Sequence, residues 1–278
     1  MLNYNGSLFA DNEPVLNATN RSFRYGDGLF ETMRAVNGKV PLFNYHFDRL
    51  IRGMKALKIH TPSYFTVHYL RNEVLKTLDK MPSARIRLAV WRESGGAYTP
   101  NNFNPDFLIE VTALPDKTFI LNELGLTIGV YPHFRLHQTP ISAFKTANAL
   151  PYILAGIFAR ENSFDDVLLL NTEGVLCEAI SSNLFILKDK KLLTPPLSTG
   201  CVGGVMRLFI MELAKKKGMA LEEKNISIND VELADELFLT NALQGIRWVE
   251  KFNNAEFNND FIVELNEGFL KQIIHGTG

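Results

Sequence analysis

The sequence predicts an α+β fold in two domains, and three observations lead there. Strand-like runs precede helical ones in each half, the second half repeats neither the length nor the pattern of the first, and one stretch, LPDKTFILNE, separates two strand-like runs near the middle. The expected domains are 1–114 and 123–278, joined by a linker over 115–122. With 46% apolar residues among 278, the chain can bury such cores.

From Met1 to Val40 short apolar runs alternate with turn residues, which reads as antiparallel strands, with a hairpin turn at Gly38 between FETMRAV and VPLFN. In NYHFDRLIRGMKALK, Phe47, Leu50, Ile51, Met54 and Leu57 recur at helical spacing, and a second helix is expected from Ser63, its N-cap, to Leu78. ARIRLAVWRE alternates, so Ile86, Leu88 and Val90 share one face while Arg85, Arg87 and Trp91 share the other. After the turn SGGAYTPNNFNP, DFLIEVTAL returns as a strand. In the second half GLTIGVY reads as a strand and PYILAGIFAREN as a helix with Pro151 near its start. DVLLLN, VLCE, NLFILK and KLLTP are short strands joined by NTEG and KDKK. STGCVGG opens a helix that ends at KKKG, ELFLT is a further strand, and the tail from Asp260 to Ile274 is helical.

Composition narrows the function. With 29 basic against 30 acidic side chains there is no electrostatic case for nucleic acid or an anionic membrane, so the expected partner is a small molecule. The start, MLNYNGSLFADNEP, has no basic segment followed by an apolar core, and no run approaches the ~18 apolar residues that span a bilayer, so a cytoplasmic location is expected. Cys177 and Cys201 are too few and too far apart for a disulfide framework or a zinc site.

Three features carry chemistry. Lys145 lies in ISAFKTANAL, whose neighbours offer it little water, and desolvated lysines serve as bases and Schiff-base nucleophiles. Glu178 lies in VLCEAISSNLFIL, a carboxylate among apolar residues on an expected strand, either solvent-facing or buried opposite a cation. The turn Ser181, Ser182, Asn183 after it offers hydroxyls and N–H groups to a phosphate. The loop Gly200–Gly204 is the better anion site, because Gly203 and Gly204 allow close backbone approach where a helix begins at Val205 and Met206. It lacks the lysine and hydroxyl of a P-loop and does not match GxGxxG after a strand. Lysine, carboxylate and phosphate cradle together suggest pyridoxal phosphate. No metal is expected, since the six histidines include no HxxxH helix or His/Cys cluster, and no GxSxG elbow appears.

RYGDGLFETMR, HFDRL, FKTAN, GVLCEAISSNLFIL, GGVMR and ADELFLTNA follow one another in the order of the class IV aminotransferases, and the chain resembles that family over nearly its full length. The resemblance implies the two-domain fold-type IV architecture of D-amino-acid aminotransferase-like enzymes, with pyridoxal 5'-phosphate in an interdomain cleft, and a homodimer. It implies that Lys145 is the Schiff-base lysine, Glu178 the carboxylate on the pyridine nitrogen and Arg49 a phosphate-binding arginine, with further phosphate contacts at Val205 and Asn241. It also suggests that Tyr25 borders the cofactor pocket.

Within the family the aminodeoxychorismate lyase branch is favoured by GGVMR, by NAL after the last strand, by the SGG turn followed by Tyr98, and by length. Arg87 stands where that pattern carries a basic residue for a substrate carboxylate, whereas Ala97 departs from it. A D-amino-acid transaminase is disfavoured because no Arg-x-His follows WRESGG, and a branched-chain transaminase because LTNALQG replaces the GTA-like loop. A non-catalytic binding protein on the same fold is the reading outside the enzyme class, and retention of Lys145 with Glu178 argues against it.

Overall fold

Residues 1–275 are described by a computed structural model in which the chain divides into two units. The first consists of Met1–Thr118 with Phe144–Asn148, and the second of Phe119–Ala143 with the chain from Ala149 onward. The division after Thr118 falls inside the 115–122 stretch, but the sequence reading placed Lys145 in the second domain and the structure groups it with the first. The cause is backbone pairing along a first-unit strand, described below.

The first unit is built from β1 (Leu2–Tyr4), β2 (Ser7–Phe9), α1 (Arg21–Tyr25), β3 (Gly28–Val36), α2 (Phe43–Ala56), α3 (Val67–Leu78), β4 (Ser83–Arg92) and β5 (Pro105–Ala113). Its five strands form one antiparallel sheet in the order β2-β1-β5-β4-β3, which leaves β3 at an edge. Alternation sends Leu29, Met33, Ile86, Leu88 and Val90 to one face, where they meet Leu50 and Met54 of α2 and Leu70 and Val74 of α3. Each such buried side chain contributes roughly 1.5–3 kcal/mol by leaving water. Arg85, Arg87 and Trp91 take the opposite face, as their spacing predicts. Two local expectations are corrected. VPLFN is not a strand, because Leu42 adopts a left-handed φ of 60° and starts α2 directly. The second helix is capped at Thr66 and not Ser63, since the extended Thr66 accepts from Tyr69 N–H.

The second unit contains β6 (Leu126–Leu136), α4 (Leu150–Glu161), β7 (Asp166–Asn171), β8 (Leu176–Ala179), β9 (Asn183–Lys188), β10 (Lys191–Thr194), α5 (Val205–Lys216), β11 (Leu221–Glu223), α6 (Ile228–Glu232), β12 (Glu236–Asn241), β13 (Gly245–Phe252), β14 (Ala255–Glu256) and α7 (Asp260–His275). The strand order is β11-β10-β9-β12-β13-β6-β7-β8, with β14 beside β13. Only Ile180, Ser181 and Ser182 separate β8 from β9, yet the two strands lie far apart in that order. Laid flat, five strand spacings of ~4.8 Å would hold them ~24 Å apart, whereas the connection reaches at most ~14 Å. The sheet therefore curls, and the curl brings Glu178 at the end of β8 beside Asn183 at the start of β9. Asp166 pins the connection, because its Oδ1 accepts from Ile180 N–H at 3.0 Å and from Val167 N–H at 2.8 Å. Among the described residues, no helix is long and apolar enough to cross a membrane.

Candidate active site

In the first unit, residues 144–148 run along the open edge of β3. Phe30 N–H donates to Lys145 O at 2.8 Å, Ala147 N–H donates to Gly28 O at 2.9 Å, and Leu29 bridges Thr146. These bonds make Lys145 part of a sheet edge, which fixes its Cα more firmly than a loop would. Lys145 Nζ lies 4.8 Å from the centroid of the Phe30 ring, and the Arg87 guanidinium carbon lies 4.7 Å from the same centroid. Each cation is thus placed against an aromatic quadrupole. Phe30 was not singled out by sequence, although its place between Gly28 and Thr32 on an alternating strand puts it on the Arg87 face.

The neighbouring Glu31 faces the other way and forms a buried cluster with α2. His46 Nδ1–H donates to Glu31 Oε2 at 2.6 Å, Arg49 Nε donates to Oε1 at 2.8 Å, and an Arg49 terminal nitrogen also contacts Oε2. His46 and Arg49 are three residues apart, so one helix face presents both to the same carboxylate. Burial alone would raise the Glu31 carboxyl, but the Arg49 charge and the His46 and Arg49 hydrogen bonds hold it down at about 2. Burial pushes His46 down against the pull of Glu31, with Arg49 and Lys145 adding to the same effect. The imidazole is therefore neutral and the pair Glu31–Arg49 carries compensating charges. Arg49, expected to meet a phosphate, is held in orientation by a carboxylate that sequence reasoning missed.

The residues expected at the substrate pocket also lie in this unit. The Tyr25 and Tyr98 rings meet with centroids 5.5 Å apart, and Tyr98 is 91% exposed. The loop bearing Tyr98 is held by buried Arg21, whose Nη1 donates to the carbonyls of Gly95, Gly96 and Ala97 at 2.9, 3.1 and 2.8 Å. Arg21 Nε donates to Asp27 at 2.7 Å, and Arg92 binds the same carboxylate. Arg87 is not a bare cation, since its Nη1 donates to Glu110 Oε2 at 3.0 Å.

The second unit holds the other predicted residues. Glu178 is buried; its Oε1 accepts from the Tyr152 hydroxyl at 2.7 Å, and its Oε2 accepts from Val202 N–H at 3.0 Å and Asn183 Nδ2 at 3.4 Å. Of the two readings open for this carboxylate, the solvent-facing one is excluded, and the donors described here are a phenol, a backbone N–H and an amide. Cys177 and Cys201 lie close enough that burial first, and then the Glu178 charge, push their thiols up to about 12 and about 11. Such thiols are poor nucleophiles at neutral pH.

The loop and turn expected to take an anion adjoin this carboxylate. Gly204 is the N-cap of α5 and has no side chain to cap the first turn, which begins at Val205 and Met206. A Cβ at Gly204 would fall on Asn183 Oδ1, so only glycine lets that side chain reach Glu178 and donate to Val202 O at 2.8 Å. Ser182 Oγ accepts from Asn241 Nδ2 at 3.0 Å. Thr240, directly across from Asn183, carries a buried hydroxyl with no hydrogen-bond partner among the described residues. An orphaned buried hydroxyl, an uncapped helix start and a close-packed glycine suit a bound phosphate, and buried Glu178 suits a protonated ring nitrogen. The residues present therefore fit the expected cofactor.

Known proteins share this chain's sequence pattern and its fold. The family model described as "Amino-transferase class IV" matches residues 28–252. A putative branched-chain-amino-acid aminotransferase of Methanocaldococcus jannaschii is 30% identical, covering 95% of this chain and 91% of its own. An aminodeoxychorismate lyase of Vibrio harveyi is also 30% identical, covering 87% and 89%. The solved branched-chain amino acid aminotransferase of Thermobaculum terrenum, in its PLP form, superposes with a TM-score of 0.86 at 20% identity, covering 100% of this chain and 94% of its own.

Proposed function

Because this chain belongs to the class IV aminotransferase family, we propose that it binds pyridoxal 5'-phosphate and acts as a 4-amino-4-deoxychorismate lyase, releasing 4-aminobenzoate and pyruvate. Bound, the cofactor would supply an aldehyde for covalent attachment and a protonated ring that accepts electrons. Lys145 Nζ is the residue assigned to the attachment and to the proton transfers that the reaction needs, one off the amino-bearing ring carbon and one onto the departing enolpyruvyl group. Glu178 would hold the proton on the cofactor's ring nitrogen. Arg49, Ser182, Asn183, Asn241 and the start of α5 at Gly204, Val205 and Met206 are the phosphate-binding set, with Arg49 held in orientation by Glu31.

The observation that carries the lyase reading is the LTNALQG turn. Asn241 Oδ1 accepts from Leu243 N–H at 3.0 Å and Gln244 N–H at 2.7 Å while its Nδ2 reaches Ser182, so the asparagine of NAL knits the turn to the anion cradle. Tyr25, Tyr98 and Arg87 are assigned to the substrate, Arg87 by exchanging Glu110 for a substrate carboxylate, a contact worth roughly 1.5–3 kcal/mol. Transamination of branched-chain or D-amino acids is the second reading, and the Methanocaldococcus relative favours it.

The test offers the purified protein aminodeoxychorismate on one side and amino donors with 2-oxo acids on the other. The expected products are 4-aminobenzoate and pyruvate, and Arg87→Met should raise the KM for aminodeoxychorismate by about tenfold or more. Rapid transamination without lyase activity would transfer the assignment to the second reading.

A homodimer is part of the same reading, supported by one face of α4. Leu150, Ile153, Leu154 and Ile157 recur at helical spacing there and are 63%, 57%, 42% and 50% exposed. Sedimentation should give twice the chain mass at micromolar concentration, and a monomer would remove this part of the proposal.

A further inference from the structure

Tyr152 belongs to no motif that the sequence suggests, yet it makes the shortest contact to Glu178 among those described above. It sits in the first turn of α4, two residues after Leu150, and Pro151 fixes the start of that helix. From there its hydroxyl reaches Glu178 Oε1 at 2.7 Å, while Val202 N–H and Asn183 Nδ2 serve Oε2. The carboxylate is thereby gripped on both oxygens, and one of the two is served from a helix that the strand pairing of β8 does not reach.

The direction of the bond is fixed by chemistry. Burial first, and then the charge and hydrogen bond of Glu178, push the Tyr152 phenol far above its ordinary range, so it stays protonated and donates. Cys177 on β8 and Cys201 before α5, the latter also under the charge of Arg207, are titratable groups that the Glu178 charge reaches. Both thiols are pushed up and remain neutral, so Tyr152 is the titratable donor among them.

We propose that Tyr152 is a positioning residue that holds Glu178 as an anion in one orientation and so sets the pH at which this carboxylate takes up a proton. The proposal gains its functional meaning from the reading of Glu178 as the partner of the cofactor's ring nitrogen, but its test does not need the cofactor. A donor removed from the charged form of an acid raises that acid's pKa. Infrared difference spectra of the unloaded full-length protein, taken against Glu178→Gln across a pH titration, isolate the protonated Glu178 carboxyl band. In Tyr152→Phe the midpoint of that band should rise by about one pH unit, the tenfold change expected from one charge-assisted hydrogen bond. Replacing Tyr152 with 3-fluorotyrosine, a stronger donor of nearly the same shape, should lower the midpoint. A midpoint that moves by less than about 0.3 units in Tyr152→Phe would overturn the proposal. If that variant does not fold, an unmoved midpoint with fluorotyrosine overturns it instead. Failure of pyridoxal phosphate to bind the wild-type protein would count against the proposed function and leave this titration standing as its own test.

Discussion

Lys145→Ala should abolish covalent retention of pyridoxal phosphate and lower turnover by on the order of 10³-fold or more, the loss expected when an enzyme's nucleophile is removed. The fold should survive. The bonds that seat this residue, from Phe30 N–H to Lys145 O and from Ala147 N–H to Gly28 O, are made by backbone atoms that alanine also has. The lost side chain gives up its contact with the face of Phe30, a ring that still has Arg87 against it. Thermal melting should therefore move little while the visible band, followed through gel filtration, disappears. A variant that kept its colour through denaturing chromatography would show that another amine carries the cofactor.

Glu178→Gln should lower turnover by about 10²- to 10³-fold, because a preorganised charge aimed at the reacting system is replaced by a neutral amide. The geometry makes this more than a loss of charge. The carboxylate accepts from Tyr152 on one oxygen and from Val202 N–H and Asn183 on the other. A glutamine whose oxygen faces Tyr152 turns its own N–H groups toward Val202 N–H and Asn183, donor against donor, and the flipped amide sets its nitrogen against the Tyr152 hydroxyl. Each donor left unpaired in a buried place costs roughly 1–3 kcal/mol. Of the proposed phosphate-binding set Asn183 is disturbed, while Gly204, Ser182 and Asn241 are not altered directly, so cofactor occupancy should fall less than kcat. Turnover close to wild type would reduce Glu178 to a structural strand residue.

The strands and helices were legible in the sequence wherever one face is buried, because periodicity then reports packing. ARIRLAVWRE and HFDRLIRGMKALK are such cases, and both elements appear close to the expected bounds. Capping was less legible: Thr66 and Ser63 are both plausible caps, and the choice falls to Thr66, which follows buried Phe65 and starts the buried stripe of α3. The placement of Lys145 was misread for a deeper reason. Its segment adds to β3 through main-chain hydrogen bonds, and no side-chain pattern encodes such an edge addition. Residues that act on other site residues were hidden in the same way. Glu31, His46, Arg21 and Tyr152 come near their partners only through helix facing, sheet register or the curl of the second sheet. A buried acid such as Glu31 does leave a trace, as a charge on the apolar face of an alternating strand.

On the proposed reading one amine, Lys145, carries pyridoxal phosphate. The most direct measurement is borohydride reduction of the native protein loaded with the cofactor, followed by proteolysis and mass spectrometry of the modified peptide. A single phosphopyridoxyl adduct is expected on the peptide containing Phe144-Lys145-Thr146. An adduct on any other lysine, or none in a protein that is folded and saturated with cofactor, would contradict it.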